Sequence, residues 1–318
     1  MRLVLADLAL RDRIQDTTFP IWNEGLARHA YGQWNEAQMR TAWGRDRLHR
    51  VALLDDAGNV LASMKRYRFD VRYDGEVMPM LGIGAVFTPA DLRGRGYAPA
   101  LIERVVDEEA AAGTPVAALF SEIGDYYIRT GFAVVALDEV VLTVARGDGA
   151  PAMLVRSGTD ADLPALAAMH DARAGSSRFA LVRTPDVIHY AIAKKRLLAG
   201  LGPSGKRQTE FFVTEEGLMP VAYVVLTIDE RGWFLEEAGD RDPSAARLGG
   251  MLQVLLAREP SEKRPTIRAW WPHAFPVPPQ VTITGRKPSN DLFMVRRMRE
   301  DLRPLAPNDV FYWHADYF

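Results

Sequence analysis

The stretch Leu81-Gly82-Ile83-Gly84-Ala85-Val86-Phe87-Thr88 runs with almost no polar side chain into Pro89-Ala90-Asp91-Leu92-Arg93-Gly94-Arg95-Gly96-Tyr97-Ala98-Pro99. The apolar run reads as a central buried strand. Beyond the glycines, Ala98, Leu101, Ile102, Val105 and Val106 recur at helical spacing until Gly113-Thr114-Pro115 stops them. A buried strand that turns through glycines into a helix makes an anion cradle. The helix N-terminus offers unpaired N–H groups and about half a positive charge. Gly94 and Gly96 let main chain approach an anion, and Arg93 and Arg95 add forked donors. A plain glycine-rich helix cap explains the glycines. It does not explain two arginines at a helix N-terminus, where positive charge is disfavoured until an anion arrives.

Around this unit the pattern alternates. Leu3 to Leu5 reads as a strand, and Ile14, Trp22 and Leu26 belong to helix that continues to about Leu48. Strands follow at Arg50 to Leu54, Val60 to Arg68, Val71 to Tyr73 and Val77 to Met80, with Asp74-Gly75 as a hairpin turn. After the helix come Val116 to Phe120, a short helix near Asp125 to Arg129, then Phe132 to Val135 and Val140 to Val144. This order predicts a mixed sheet with helices on its faces. Arg146-Gly147-Asp148-Gly149-Ala150-Pro151 breaks the composition, and a diverged second copy follows: strand Met153 to Arg156, helix Asp160 to Ala174, strands at 211–214, 221–228 and 233–238, a helix near 245–258, and strands near 267–271 and 281–284. The domains expected are 1–148 and 152–318.

No Walker lysine follows the loop, and Pro99 stands where a dinucleotide loop needs a third glycine. Arg93, Gly96 and Ala98 instead match Arg/Gln-x-x-Gly-x-Gly/Ala, so the chain resembles the GCN5-related N-acetyltransferase (GNAT) superfamily. A second stretch, Ser121-Glu122-Ile123-Gly124-Asp125-Tyr126-Tyr127-Ile128-Arg129-Thr130-Gly131-Phe132, is similar to that superfamily's strand followed by Tyr-x-x-x-Gly-aromatic. Together with the repeated unit it resembles the tandem, enhanced-intracellular-survival type. The resemblance implies an α/β (α+β) fold of two tandem GNAT-like domains, each a mixed, mostly antiparallel sheet flanked by helices. It implies acetyl transfer from acetyl-CoA to a small-molecule or peptide amine by direct attack, with no metal.

In that reading Val86, Phe87 and Thr88 align the pantetheine arm, Arg93, Gly94, Arg95, Gly96, Tyr97 and Ala98 hold the pyrophosphate, and Ser121 joins the donor site. Tyr127, ahead of Tyr126, protonates the leaving thiolate; a helix tyrosine packed as core is the plainer reading. The strand Leu81–Ala85 offers no carboxylate where many relatives carry a catalytic glutamate. The general base then comes from Glu122, Asp316 or, as in the resembled family, the terminal carboxylate, here that of Phe318. Five aromatic residues in Val310–Phe318 favour a docked tail over a frayed one, and a last strand closing the second domain is the competing reading. Relatives of the tandem type carry a third domain, for which this sequence leaves no length. A homo-oligomer is compatible with the resemblance.

Composition narrows the alternatives. Lys+Arg 39 against Asp+Glu 41 gives a net charge of -2, which argues against broad nucleic-acid binding. There is no cysteine and hence no thiol nucleophile or disulfide, and the six histidines show no metal spacing. Without a signal-like or membrane-length apolar run, a cytoplasmic protein is expected. The second copy's loop, Glu237-Ala238-Gly239-Asp240-Arg241-Asp242-Pro243, is acidic, so that domain is expected not to bind CoA. A non-catalytic acyl-CoA-binding module is the alternative function, and a scaffold that never meets CoA is the third.

Overall fold

The computed structural model describes residues 1–147, 153–260, 262 and 264–318. Its contacts divide the chain into two compact units. The first comprises Met1–Ala136, Asn290–Ala306 and Phe318; the second comprises Leu137–Ser289 and Pro307–Tyr317.

The first unit runs β1 (Arg2–Leu5), α1 (Leu8–Trp22), α2 (Arg28–Arg40), α3 (Ala42–Arg47), β2 (Leu48–Leu54), β3 (Val60–Tyr73), β4 (Glu76–Phe87), α4 (Tyr97–Ala111), β5 (Val116–Ser121), α5 (Gly124–Ile128) and β6 (Ala133–Val135). The expected runs at 60–68 and 71–73 are one strand, as are those at 77–80 and 81–88. Asp74 and Gly75 turn between them with φ of 49° and 87°, the positive-φ pair that a two-residue hairpin needs. The sheet order is β1-β2-β3-β4-β5-β15-β6, where β15 is Leu292–Arg297. Along this order, among the described residues, β4 and β5 are the parallel neighbours, joined through α4.

Alternation gives this sheet two faces. On one, Leu101, Ile102, Val105 and Val106 of α4 pack on Met64, Leu81, Ile83, Ala117 and Leu119. The other carries the rows Leu48–Tyr67–Gly82 and Arg50–Lys65–Gly84 across β2, β3 and β4. There Trp43 stacks on Phe69 at 4.8 Å.

The second unit contains β7 (Asp138–Val144), β8 (Val155–Ser157), α6 (Leu163–Ala174), β9 (Phe179–Leu181), α7 (Pro185–Leu201), β10 (Arg207–Glu216), β11 (Met219–Asp229), β12 (Gly232–Asp240), α8 (Ala246–Leu256), β13 (Ile267–Trp270), β14 (Val281–Pro288) and β16 (Val310–Phe311). Its sheet order, β14-β7-β13-β12-β11-β10-β8, repeats the first, again with one parallel pair, β12 and β13, joined through α8. The fold is therefore two tandem GNAT-like α/β units, each a mostly antiparallel sheet flanked by helices.

Two strands stand apart from the reading of the sequence. Val140–Val144 was expected to finish the first copy, but β7 pairs with β13 and β14 in the second unit's sheet. The matching place beside β5 is filled by β15, which the sequence did not announce. Alternating apolar residues fix which face of a strand is buried, not which neighbour it pairs with. The expected break at Arg146–Pro151 falls largely on 148–152, outside the described residues. Among the described residues no helix is long and apolar enough to cross a membrane.

Candidate functional site

β4 and β5 pair in parallel from Met80–Val116 to Ile83–Leu119 and then part. Beyond that point β4 continues to pair with β3, through Lys65–Gly84 and Ser63–Phe87. β5 continues to pair with β15, through Phe120–Phe293 and Ser121–Leu292. Each strand keeps its outer neighbour and loses the inner one, which opens a notch between them. A bulge bends β4 here: the register shifts between Ser63 and Lys65, and Ala85 takes φ of 47°. Bulges re-aim strands in this way. Val86, Phe87 and Thr88 thus lie beyond the last pairing with β5, on the β4 side of the notch.

At the end of β4 the chain makes a 3-10 turn at Ala90–Leu92 and reaches Arg93. Gly94 and Gly96 have φ of 78° and 80°, a region that costs other residues roughly 1–2 kcal/mol. A Cβ at either glycine would meet no atom within 4 Å, so the loop faces open space. Gly96 caps α4 without a side-chain hydrogen bond, and no acidic residue occupies the first turn. Arg93 and Arg95 are exposed. Each makes one long hydrogen bond to a carbonyl of its own loop, Thr88 at 3.4 Å and Asp91 at 3.3 Å. Tyr97 is half-buried and Ala98 is buried.

On the far side, Ser121 Oγ accepts a hydrogen bond from Ile123 N at 3.0 Å and shapes the turn into α5. Tyr127 on that helix is 8% exposed, packed edge-on against Tyr126 and Phe132. Burial, then the charge of Tyr126, pushes its hydroxyl up to about 12. It is therefore protonated throughout the neutral range. Gly131 closes this segment at φ of 80°.

Phe318 belongs to the first unit. Its ring lies 5.3 Å from Tyr67, 5.0 Å from Phe69 and 5.2 Å from Phe120, and it is 7% exposed. A Cβ on Gly82 would come within 2.9 Å of that ring, and one on Gly84 would stand 3.4 Å from Phe318 O. Gly82 and Gly84 are thus the slot that admits Phe318, and its carboxyl end reaches the first residue of β4 past the last parallel pair. Glycines alternating inside a buried strand were the available signal, since they mark close approach of another group.

Glu122 and Asp316 are the other two candidate bases. Glu122 is exposed at the start of the turn into α5. Asp316, in a 3-10 turn of the second unit, is buried 3.2 Å from Arg183, which also pairs with Glu237 at 2.8 Å. Its ion-pair partner is thus a buried arginine of its own unit. The tail combines both readings of the sequence. Val310–Phe311 form a two-residue strand parallel to β9, and the rest is docked rather than paired.

The second unit repeats the parting of strands. β12 and β13 pair up to Leu235–Ala269, and the next residue, Glu236, is a bulge. Its carboxylate is held by Lys195 Nζ at 2.7 Å, His314 Nδ1 at 2.5 Å and Thr227 Oγ1 at 2.5 Å. The His314 ring packs against Phe234 and Trp270 at 4.5 and 4.8 Å. The N-terminus of α8 is closed by Asp240 Oδ2, which accepts from Leu248 N at 2.8 Å.

The first unit thus combines a parted parallel strand pair with an uncapped glycine-rich helix start at its mouth. Residues 12–135 match the family model described as acetyltransferase (GNAT) domain. No curated protein sequence matches the chain. Solved structures resemble it over both units. A probable N-acyltransferase from Enterococcus faecalis V583 is 14% identical with a TM-score of 0.69, covering 93% of this chain and 72% of that one. A GCN5-related N-acetyltransferase from Kribbella flavida is 18% identical at 0.67, covering 93% and 70%. Eis1 from Mycobacterium abscessus is 14% identical at 0.59, covering 94% and 74%. The tandem fold is thus shared with the enhanced-intracellular-survival type.

Proposed function

We propose that the chain is an N-acyltransferase that moves an acetyl group from acetyl-CoA to the amine of a small molecule or peptide by direct attack. The observation that carries the reading is the notch between β4 and β5 with the bare N-terminus of α4 at its mouth. The main-chain N–H groups from Arg93 to Ala98, with both arginine side chains, receive the pyrophosphate. Val86, Phe87 and Thr88 align the pantetheine arm and polarise the thioester carbonyl, with Ser121 on the opposite wall. The amine attacks the carbonyl carbon, the C–S bond breaks, and Tyr127 gives its proton to the departing thiolate. In a chain that ends at Phe318, the α-carboxylate beside Gly84 takes the amine's proton. The second unit, with its helix start closed by Asp240, does not take the donor.

Proton costs rank the two groups. Freeing an amine of pKa ~10.4 at pH 7 costs about 4–5 kcal/mol, whereas a thiol of pKa ~8.5 needs only about 2 kcal/mol of help to leave. The base is the more heavily used of the two.

Acetyl-CoA should raise the melting temperature, and amine-dependent thiol release should accompany it. Gly96→Glu puts a side chain at positive φ and a carboxylate in the cradle, so affinity for acetyl-CoA should fall at least ~10-fold, about 1.4 kcal/mol. Unchanged affinity by calorimetry would remove the loop from the donor site. Binding without thiol release across a broad amine panel would leave an acyl-CoA-binding module instead.

A further inference from the structure

The first unit has a cleft of about 340 Å³ lined by α1, α2, α3 and β2 residues, among them Arg11, Glu36, Arg40, Arg45 and Arg50. Four arginines and one carboxylate are among its lining residues. Arg11 is consumed by Glu36, through two hydrogen bonds of 2.9 Å. Arg40 and Arg45 are exposed and form no ion pair among the described residues. Arg50 is the informative one. It is 5% exposed and donates Nη1 to Ala85 O at 3.2 Å. It has no carboxylate within 4 Å among the described residues.

A guanidinium taken out of water without a counter-ion is costly, and such groups are ordinarily paired or placed to meet an anion. Burial pulls this one's pKa down, and only Tyr31, Tyr67 and Glu36 work the other way. Its position gives the cost a use. Arg50 stands in the row Arg50–Lys65–Gly84 and grips the carbonyl of the bulge residue Ala85, so the cleft's floor and the notch share one side chain. Lys65 adds a further positive charge in that row; its Nζ lies 3.4 Å from Gln38 Oε1 and over the Trp34 ring at 5.5 Å.

We propose that this cleft receives an anionic group of the acyl acceptor, so that the acceptor is an amine that also carries a carboxylate or phosphate. The proposal rests on the acyl-transfer reading above for the word acceptor, but not for the anion site itself. Arg50 fixes the anion's inner end by its buried donors, and Arg40 and Arg45 set the field at the rim. A dicationic amine would meet repulsion here, which makes charge the filter.

Two measurements on the full chain test this. Inorganic phosphate is titrated calorimetrically into an Arg93→Ala/Arg95→Ala background, which removes the competing phosphate contacts of the glycine loop. Binding should persist there and weaken at least ~10-fold when Arg40→Ala and Arg45→Ala, both at exposed positions, are added. Arg50→Met should abolish it, with circular dichroism to confirm the fold. Thiol release is then compared for glycine and glycinamide. Glycine should show the lower KM by at least ~10-fold, although the amide's amine is the less protonated, and the exposed double variant should erase the preference without changing the Kd of acetyl-CoA. Phosphate binding that is absent, or indifferent to Arg40 and Arg45, overturns the anion site. Equal use of glycine and glycinamide overturns its role in choosing acceptors. Phosphate bound in the cleft with no thiol released from any amine would instead sink the acyl-transfer reading while the anion site stands.

Discussion

The two units part their parallel strands at the same place and use the opening in opposite ways. In the first, the residue after the last parallel pair is Gly84, the neighbouring helix start is bare, and a Cβ on the loop glycines would touch nothing. In the second, that residue is Glu236, its carboxylate is ion-paired to Lys195 and hydrogen-bonded with His314, and the helix start is closed by Asp240. The backbone device is the same. Whether it becomes a ligand site depends on a handful of side chains: glycines keep it open, and carboxylates fill it with the chain's own cations and N–H groups. A helix N-terminus already satisfied by a built-in carboxylate has little left to offer a phosphate.

The largest effect should come from the open notch. Extending the chain by one glycine beyond Phe318 keeps the ring in its cage but moves the free carboxylate. If that group is the base, kcat should fall by ~10³-fold, which is the ~4–5 kcal/mol of amine deprotonation expressed as a rate. A wild-type kcat would show that the carboxyl end beside Gly84 is not the base. The closed notch should respond in stability instead. Glu236 is buried and held well below the usual carboxylate range, against the pull of burial, by Lys195 and then His314. Glu236→Ala strands the Lys195 ammonium and leaves His314 without its carboxylate, and should cost about 3–5 kcal/mol, as removal of one partner of a buried pair does. Calorimetric unfolding showing a loss below about 1 kcal/mol would mean that the cluster is ornamental.

How far all this was legible in the sequence follows from which interactions are local. The strand, the glycine turn and α4 are set by neighbours within some twenty positions, and apolar spacing displays them. α7 (Pro185–Leu201) was not foreseen, because its inward side includes Tyr190 and the buried stem of Lys195, which turns to Glu236, so the apolar period is blurred. β15 and the pairing of β7 depend on partners far along the chain, which a periodic pattern does not name. At the candidate site, the glycines and arginines of the Arg93–Ala98 loop stand out in the sequence, whereas Tyr127 was singled out only through the family resemblance. Gly82 and Gly84 were visible but read as an absence of carboxylate, whereas the structure shows them as a slot for Phe318. Arg50, a lone guanidinium in the strand Leu48–Leu54, carried a signal that went unused.

A pH scan sharpens the contrast from the tail's side. Burial pushes Asp316 up to about 6, although Arg183 draws it down. Its ordinary value is near 3.8, so in the unfolded chain it loses its proton first. The folded state gains from the retained proton below about pH 4, and that gain is lost as pH rises through about 6. The unfolding free energy of the wild type should carry a step of up to about 3 kcal/mol in this window, read as a fall in Tm. Asp316→Asn should flatten it, and a step that survives the substitution would assign it to another group.

The smallest effect expected is that of Tyr127→Phe. The second unit has no tyrosine in the corresponding stretch: Trp270, at the end of β13, is followed by Trp271 and Pro272. Tyr127 is therefore a difference between the units that belongs to chemistry if the hydroxyl delivers a proton, and merely to packing if it does not. Held at about 12 by burial, the hydroxyl is fully protonated at working pH and can act only as an acid. A thiolate needs about 2 kcal/mol of help at pH 7, so losing the donor should lower kcat roughly 10- to 30-fold. The ring that packs on Phe132 remains, so the Kd of acetyl-CoA and the Tm should stay within error. The loss should shrink with a donor whose thiol is more acidic, because that leaving group needs less help. A defect of the same size for every donor, or one that tracks a lowered Tm, would return Tyr127 to the core.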